Sequence, residues 1–223
     1  MLVLGVDTSG KNGSIALVQF GQGNSRTLEV VPLEGGTFSA QLVPQISDAL
    51  GRHSLTKSDI DGFAVVSGPG SFTGLRVGLA AIKALAEVLR KPIAALSLLE
   101  AVSRASGSEG EVIAALDAGR GEVYVAEFRV SGSHAAVRNQ QLLTVGEFVS
   151  ANHNQEIITP DAKIADLARE KGLRVTQVDR PQADVIARLG FEKIHAGEVI
   201  SPESLDANYI RRSDAEIRKP GNH

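Results

Sequence analysis

The sequence predicts an α/β protein of two related halves, each a mixed sheet covered by helices. Three observations carry this. Apolar runs bounded by turn residues alternate with segments of helical periodicity. The opening "VLGVDTSGKNGSIALVQF" returns as "VIAALDAGRGEVYVAEF", with Asp7 matched by Asp117 and, after a two-residue deletion between them, Gly13 by Gly121. Just before the second copy stands "SGSEG", Ser106 to Gly110, the best linker in the chain, which divides it at 1–105 and 106–223.

"LVLGVD" reads as a buried strand ending at Asp7. "SIALVQF" follows "TSGKNG", whose Gly10 and Asn12-Gly13 are hairpin chemistry, and "RTLEVVP" makes a third strand. "FSAQLVPQISDAL" spaces Phe38, Leu42, Val43, Ile46, Ala49 and Leu50 at helical intervals, with Pro44 predicting a late start or a bend. "IDGFAVV" is a fourth strand. A long helix then runs to about Arg90, where Pro92 closes it. "PIAALS" is a strand and "LLEAVSRA" a helix. After the repeated hairpin come a strand near Ala135 to Leu143, a helix from Thr144, the strand "EIITP", a helix from Asp161, the strand "LRVTQV" and a helix from Ala183 to His195. Strand-strand-strand-helix-strand-helix, twice, resembles the duplicated ribonuclease-H-like fold of the actin, sugar-kinase and Hsp70 superfamily. There the first hairpin faces nucleotide phosphates and metal, and the cleft lies between the halves.

Composition narrows the function. With 223 residues a core is buried without staples, and 43% hydrophobic with 22% charged residues is an ordinary globular mix. The absence of cysteine rules out disulfides, thiolate nucleophiles and thiolate metal sites, and fits a cytoplasmic chain. "MLVLGVDTSG" lacks the basic region of a signal peptide, and charges interrupt the longest apolar-rich segment, so no membrane span is expected. A net charge of −3 and 4% aromatic residues do not suit a chain that grips nucleic acid alone. The densest basic cluster, "YIRRSDAEIRK", reads as a solvated terminal segment.

"VVSGPGSFTGLRVG", Val65 to Gly78, fails three catalytic templates. No lysine follows where a P-loop needs one, the dinucleotide spacing misses by one place, and neither Ser67 nor Ser71 sits in a G-x-S-x-G turn. Two readings stand. Gly68, Pro69, Gly70 and Ser71 present helix-start amides to an anion, or they only turn the chain while Ser71 or Thr73 caps the helix. Likewise Asp7, Thr8 and Ser9 either bind magnesium and phosphate oxygens or form a capped turn. Asp117, with Gly119 and Arg120, repeats that choice. The five histidines never fall three or four apart, so no helix-borne metal pair exists.

The long helix carries two apolar stripes: Leu75, Leu79, Ile82, Ala86 and Leu89, and Val77, Ala81, Leu85 and Val88. Arg76, Lys83, Glu87 and Arg90 fill the strip left over. A helix apolar on two sides is buried twice, once on its own sheet and once against either the helix from Phe38 or a partner chain. The residues expected at a partner are Phe38, Leu42, Ile46, Leu75, Arg76, Leu79, Ile82, Lys83 and Ala86.

"LGVDTS…SIALVQ", "VVSGPGSFTGLRVGLAAIKALA", "PIAALSLLEAVS", "AALDAGRGEVYVAEF" and "ANYIRR" together resemble the TsaB (YeaZ) family, accessory subunits for threonylcarbamoyladenosine modification of tRNA. The resemblance implies a non-catalytic scaffold that pairs with the catalytic paralogue TsaD, alongside the ATPase TsaE, in modifying adenosine 37 of ANN-decoding tRNAs. The apolar helix is expected to form a homodimer when the chain is alone, tRNA is expected to be held only through the complex, and no cofactor is expected to bind tightly, with at most weak ATP or ADP with magnesium at the complex. The paralogue's H-x-x-x-H metal pair falls on Phe38 and Leu42, which cannot ligate. The rival is a nucleotide-dependent ATPase or phosphotransferase using Asp7, Thr8, Ser9, Asp117 and Gly68–Ser71. A peptidase, the older M22 label, finds no nucleophile or zinc set here.

Overall fold

Two five-stranded sheets share one topology. The computed structural model describes residues 1–132, 134–151, 154–208 and 210. In the first sheet β1 (Leu2–Asp7), β2 (Gly13–Phe20), β3 (Ser25–Leu33), β4 (Gly62–Gly68) and β5 (Ile93–Ser97) lie in the order β3-β2-β1-β4-β5. In the second, β6 (Gly110–Gly119), β7 (Glu122–Ser131), β8 (His134–Thr144), β9 (Glu156–Thr159) and β10 (Val175–Gln177) run β10-β9-β6-β7-β8. Read from its other end, that is the same arrangement with β6 in the place of β1. Each central strand pairs antiparallel with the next strand in sequence and parallel with the fourth of its half. The strands and helices expected from the sequence are all present, and the fold is the two-domain ribonuclease-H-like one.

The helices are α1 (Phe38–Arg52), α2 (Phe72–Leu89), α3 (Leu98–Ala105), α4 (Val145–Ser150), α5 (Ala162–Glu170) and α6 (Ala183–His195). α1 starts at Phe38 and is helical straight through Pro44, so the expected late start is not found. Pro44 removes the bond to the Ala40 carbonyl, and both residues lie on the exposed side, where water can replace it. α2 is capped by the Ser71 hydroxyl, which accepts from the Gly74 N–H, and Arg90 ends it in the left-handed conformation. No helix among the described residues is long and apolar enough to cross a membrane.

The division at 105/106 separates the sheets but not the layers. α1 and α2 pack on the first sheet, and so does α6, from the far end of the chain, against all five of its strands. α3 packs mainly on β6 to β9 of the second sheet. The two halves therefore exchange their last helices. α3 and α6 touch, with Arg104 2.8 Å from Glu192 and Lys193 3.2 Å from Glu100. Alternation along β6 sorts the core accordingly. Val112, Ala114 and Leu116 join one core that continues into the first sheet, while Ile113 and Ala115 join a smaller one with Phe148, Ile164 and Ala168.

Candidate functional site

The glycines of the loop between β4 and α2 are explained by neighbours within the chain. A Cβ at Gly68, whose φ is 146°, would lie 2.5 Å from the Asn208 carbonyl oxygen. One at Gly70 would overlap the Ser9 carbonyl, and ones at Gly74 and Gly78 would overlap Thr8. The same contacts are hydrogen-bonded. Ser71 N–H donates to Ser9 O at 2.7 Å, Thr8 Oγ1 donates to Gly74 O at 2.8 Å, and Asn208 N–H donates to Ser67 O at 2.8 Å. The loop is thus clamped between the end of β1 and the chain beyond α6. Pro69 is buried within it.

The two aspartates expected to be copies sit at matching strand ends in unlike surroundings. Asp7, Thr8 and Ser9 are buried, and Asp7 Oδ1 accepts from both the N–H and the hydroxyl of Ser9, at 2.8 and 2.5 Å. Asp117 is exposed and accepts the Gly119 N–H at 2.8 Å, while its own N–H donates to Asp161 Oδ2 at 2.7 Å. Arg120 and Gly121, with φ of 57° and 78°, close that hairpin as a two-residue turn. The structure also brings Arg180 to the first site, with Nη2 3.4 Å from Ser9 Oγ. Sequence reasoning missed Arg180. It lies between β10 and α6, and only the crossing of α6 to the first sheet places it beside Ser9.

The expected partner set needs correction. Phe38, Leu42, Ile46, Leu75, Leu79, Ile82 and Ala86 are all buried inside this chain. Gly74 and Gly78 lie on the same stripe of α2, so that stripe closes onto Thr8 and the first sheet. Only Arg76 and Lys83 of the expected set reach the surface. The face left outward is the second stripe. Val77, Ala81 and Leu85 are half-buried, Ala80 and Ala84 are exposed, and Val88 is 74% exposed. Val43 of α1, 53% exposed, is a further exposed apolar residue of this helix pair. Val77, Ala81, Ala84 and Val88 follow a 4-3-4 spacing, the interval of helices that pack along a seam. At the start of α2, Arg76 lies over the Phe72 ring at 3.6 Å.

Phe38 and Leu42 give no metal centre. The Phe38 ring packs against Gly13 and Gly74. Among the described residues no group of three His, Asp or Glu side chains could hold a metal. His53 faces Glu29 at 3.1 Å, and His195 stacks on Phe191. His153, His223 and, apart from Ile210, the basic cluster near the carboxyl end lie outside the described residues.

The model of one protein family, described as TsaD: tRNA N6-adenosine threonylcarbamoyltransferase, matches residues 30–198. The chain is similar to tRNA threonylcarbamoyladenosine biosynthesis protein TsaB of Escherichia coli K12, 27% identical over 99% of both chains. It is also 27% identical to TsaB of Bacillus subtilis 168, over 98% of this chain and 97% of that one. Among solved structures, YeaZ from Pseudomonas aeruginosa has the same fold, with a TM-score of 0.76 at 23% identity, covering 93% of this chain and 99% of that one. The resemblance to TsaB (YeaZ) read from the motifs therefore extends along nearly the whole chain.

Proposed function

We propose that this chain, which belongs to the family described as TsaD: tRNA N6-adenosine threonylcarbamoyltransferase, serves tRNA threonylcarbamoyladenosine biosynthesis as a docking subunit without catalytic residues of its own. The observation that carries the reading is the outward stripe of α2, Val77, Ala81, Ala84 and Val88, with Val43 of α1 exposed on the helix packed beside it. Exposed apolar residues grouped on one helix pair mark an interaction face. Small residues at heptad intervals admit a partner helix closely. A catalytic member of the same family would lay its equivalent helix pair here, making a four-helix contact. The similarity in name and length to the TsaB proteins supports the pathway. Phe38 and Leu42, incapable of ligation and buried, support the division of labour.

In this reading the complex works in the cytoplasm and the small ATPase TsaE joins it. The tRNA is held by the assembly, and nucleotide with magnesium meets this chain only weakly. Without its partner the same face pairs with a second copy.

The test is co-purification with the catalytic member, followed by Ala84→Glu and Val88→Glu. Each variant should fold and lose most of the complex and its tRNA modification. A complex indifferent to both changes would refute the docking face. Modification of tRNA by the isolated chain would refute the division of labour.

A further inference from the structure

A cavity of about 370 Å³ opens beside Asp7 on the α6 side of the first sheet, and Asn12, Ser14, Arg180 and Gln182 line it. Asp7 is 3% exposed. Its Oδ1 is engaged by Ser9, but among the described residues no hydrogen bond reaches Oδ2. That oxygen is not sealed from solvent, so a donor entering the cavity can reach it. Arg180 stands at the same cavity. Its one hydrogen bond among the described residues is the long one to Ser9 Oγ, at 3.4 Å. The side-chain amides of Asn12 and Gln182 make none. A carboxylate oxygen without a protein donor and an exposed guanidinium therefore line one cavity without forming an ion pair with each other.

Two ligand classes fit poorly. A bare divalent cation needs several oxygen ligands. Here the Thr8 hydroxyl is committed to Gly74 and the Ser9 hydroxyl to Asp7, and a guanidinium lies beside them. A phosphate chain meets the Asp7 charge, and the loop that would cradle it is closed onto Ser9 and Asn208. A small molecule with a cationic donor at one end and an anionic acceptor at the other satisfies both side chains at once.

We propose that this cavity binds a small zwitterion of the free α-amino acid class. The ammonium group meets Asp7 Oδ2 and the carboxylate meets Arg180. Ser9 orders the pair, since its hydroxyl donates to Asp7 and lies beside Arg180. Val30 and Pro32 form an apolar wall that suits a short aliphatic side chain.

The test is calorimetric titration of the full chain with L-alanine and L-valine, and with N-acetyl-L-alanine and L-alaninamide, each of which removes one charge. The free amino acids should bind with an affinity on the order of millimolar. Each blocked derivative, and the variant Arg180→Gln, should bind at least about tenfold more weakly. Asp7→Asn should do the same. Because Asp7 is buried, its circular dichroism is checked first, and the exposed Arg180 together with the blocked ligands decides the matter if that variant misfolds. No binding of the free amino acids at tens of millimolar, equal binding of the blocked ones, or tight magnesium–ATP binding lost in Arg180→Gln would each overturn the proposal.

Discussion

Gly5 of β1 lies so close to the carbonyl of Ala183, at the start of α6, that a Cβ added to Gly5 would overlap the oxygen. The Ala183 N–H donates to Ser14 Oγ at 3.0 Å, so the first turn of α6 is pinned to two neighbouring strands. Gly190, two turns on, meets Ala64 of β4 with the same closeness. α6 thus rests on the first sheet through glycines, and side chains at those places would lift it.

Gly5→Ala and Gly190→Ala should each cost about 1–3 kcal/mol by overpacking. Gly51→Ala is the control. It lies in the last turn of α1 with open space around it, and should gain about 0.4–1 kcal/mol. Urea midpoints of the three variants check the ordering.

Leu79→Glu and Val88→Glu should separate the two faces of α2. Leu79 is 6% exposed, so a carboxylate there is buried among apolar groups and should cost at least about 3 kcal/mol. Val88→Glu should stay within about 0.5 kcal/mol of the parent as an isolated chain. Thermal unfolding of both, without a partner, distinguishes a core stripe from a surface one.

Glu156 supplies an acid-sensitive joint in the second sheet. The hydroxyls of Thr176 and then Ser108 donate to its carboxylate and hold it below the ordinary glutamate value of 4.5. Because the folded value lies below the unfolded one, the stabilisation is complete above about pH 4.5 and fades as pH falls through the folded value. Glu156→Gln should lower stability at neutral pH and flatten the acid limb of a stability–pH curve. A limb unchanged from the parent would contradict this.

Unfolding should be a single transition. One apolar core runs from the first sheet into β6, β7 and β9, and α3 and α6 cross within it. Amide exchange in β1 and β6 should therefore report the same free energy of opening. The Arg104–Glu192 pair adds little to this, and Glu192→Gln should cost no more than about 1 kcal/mol.

Strand and helix positions were legible because their apolar periods are long and the turns between them are marked by glycine and proline. The partners of the helices were not. Periodicity states that Leu98, Leu99 and Val102 are buried, but not against which sheet, and the exchange of α3 and α6 leaves no local trace. α2 shows the same limit. Both stripes were visible, but not which of them faces inward. Thr8 of the chain itself packs on Gly74 and Gly78, which makes the glycine-bearing stripe the inner one. The Asp7 turn was legible by its residue types, whereas Arg180 belongs to it only through the fold.

The crossed helices give the molecule the form of a helix-swapped dimer whose two subunits have been fused. Each half, cut at 105, would keep a complete sheet and lose the helix that seals it. Two such fragments made separately would be sticky and poorly folded alone, yet complementary, and mixing them should rebuild the parent by trading helices. By the same logic, a copy whose crossing loosens can lend its helix to a neighbour. Assembly by exchange is therefore a hazard built into the duplication, and the close glycine seats at Gly5 and Gly190 hold it in check.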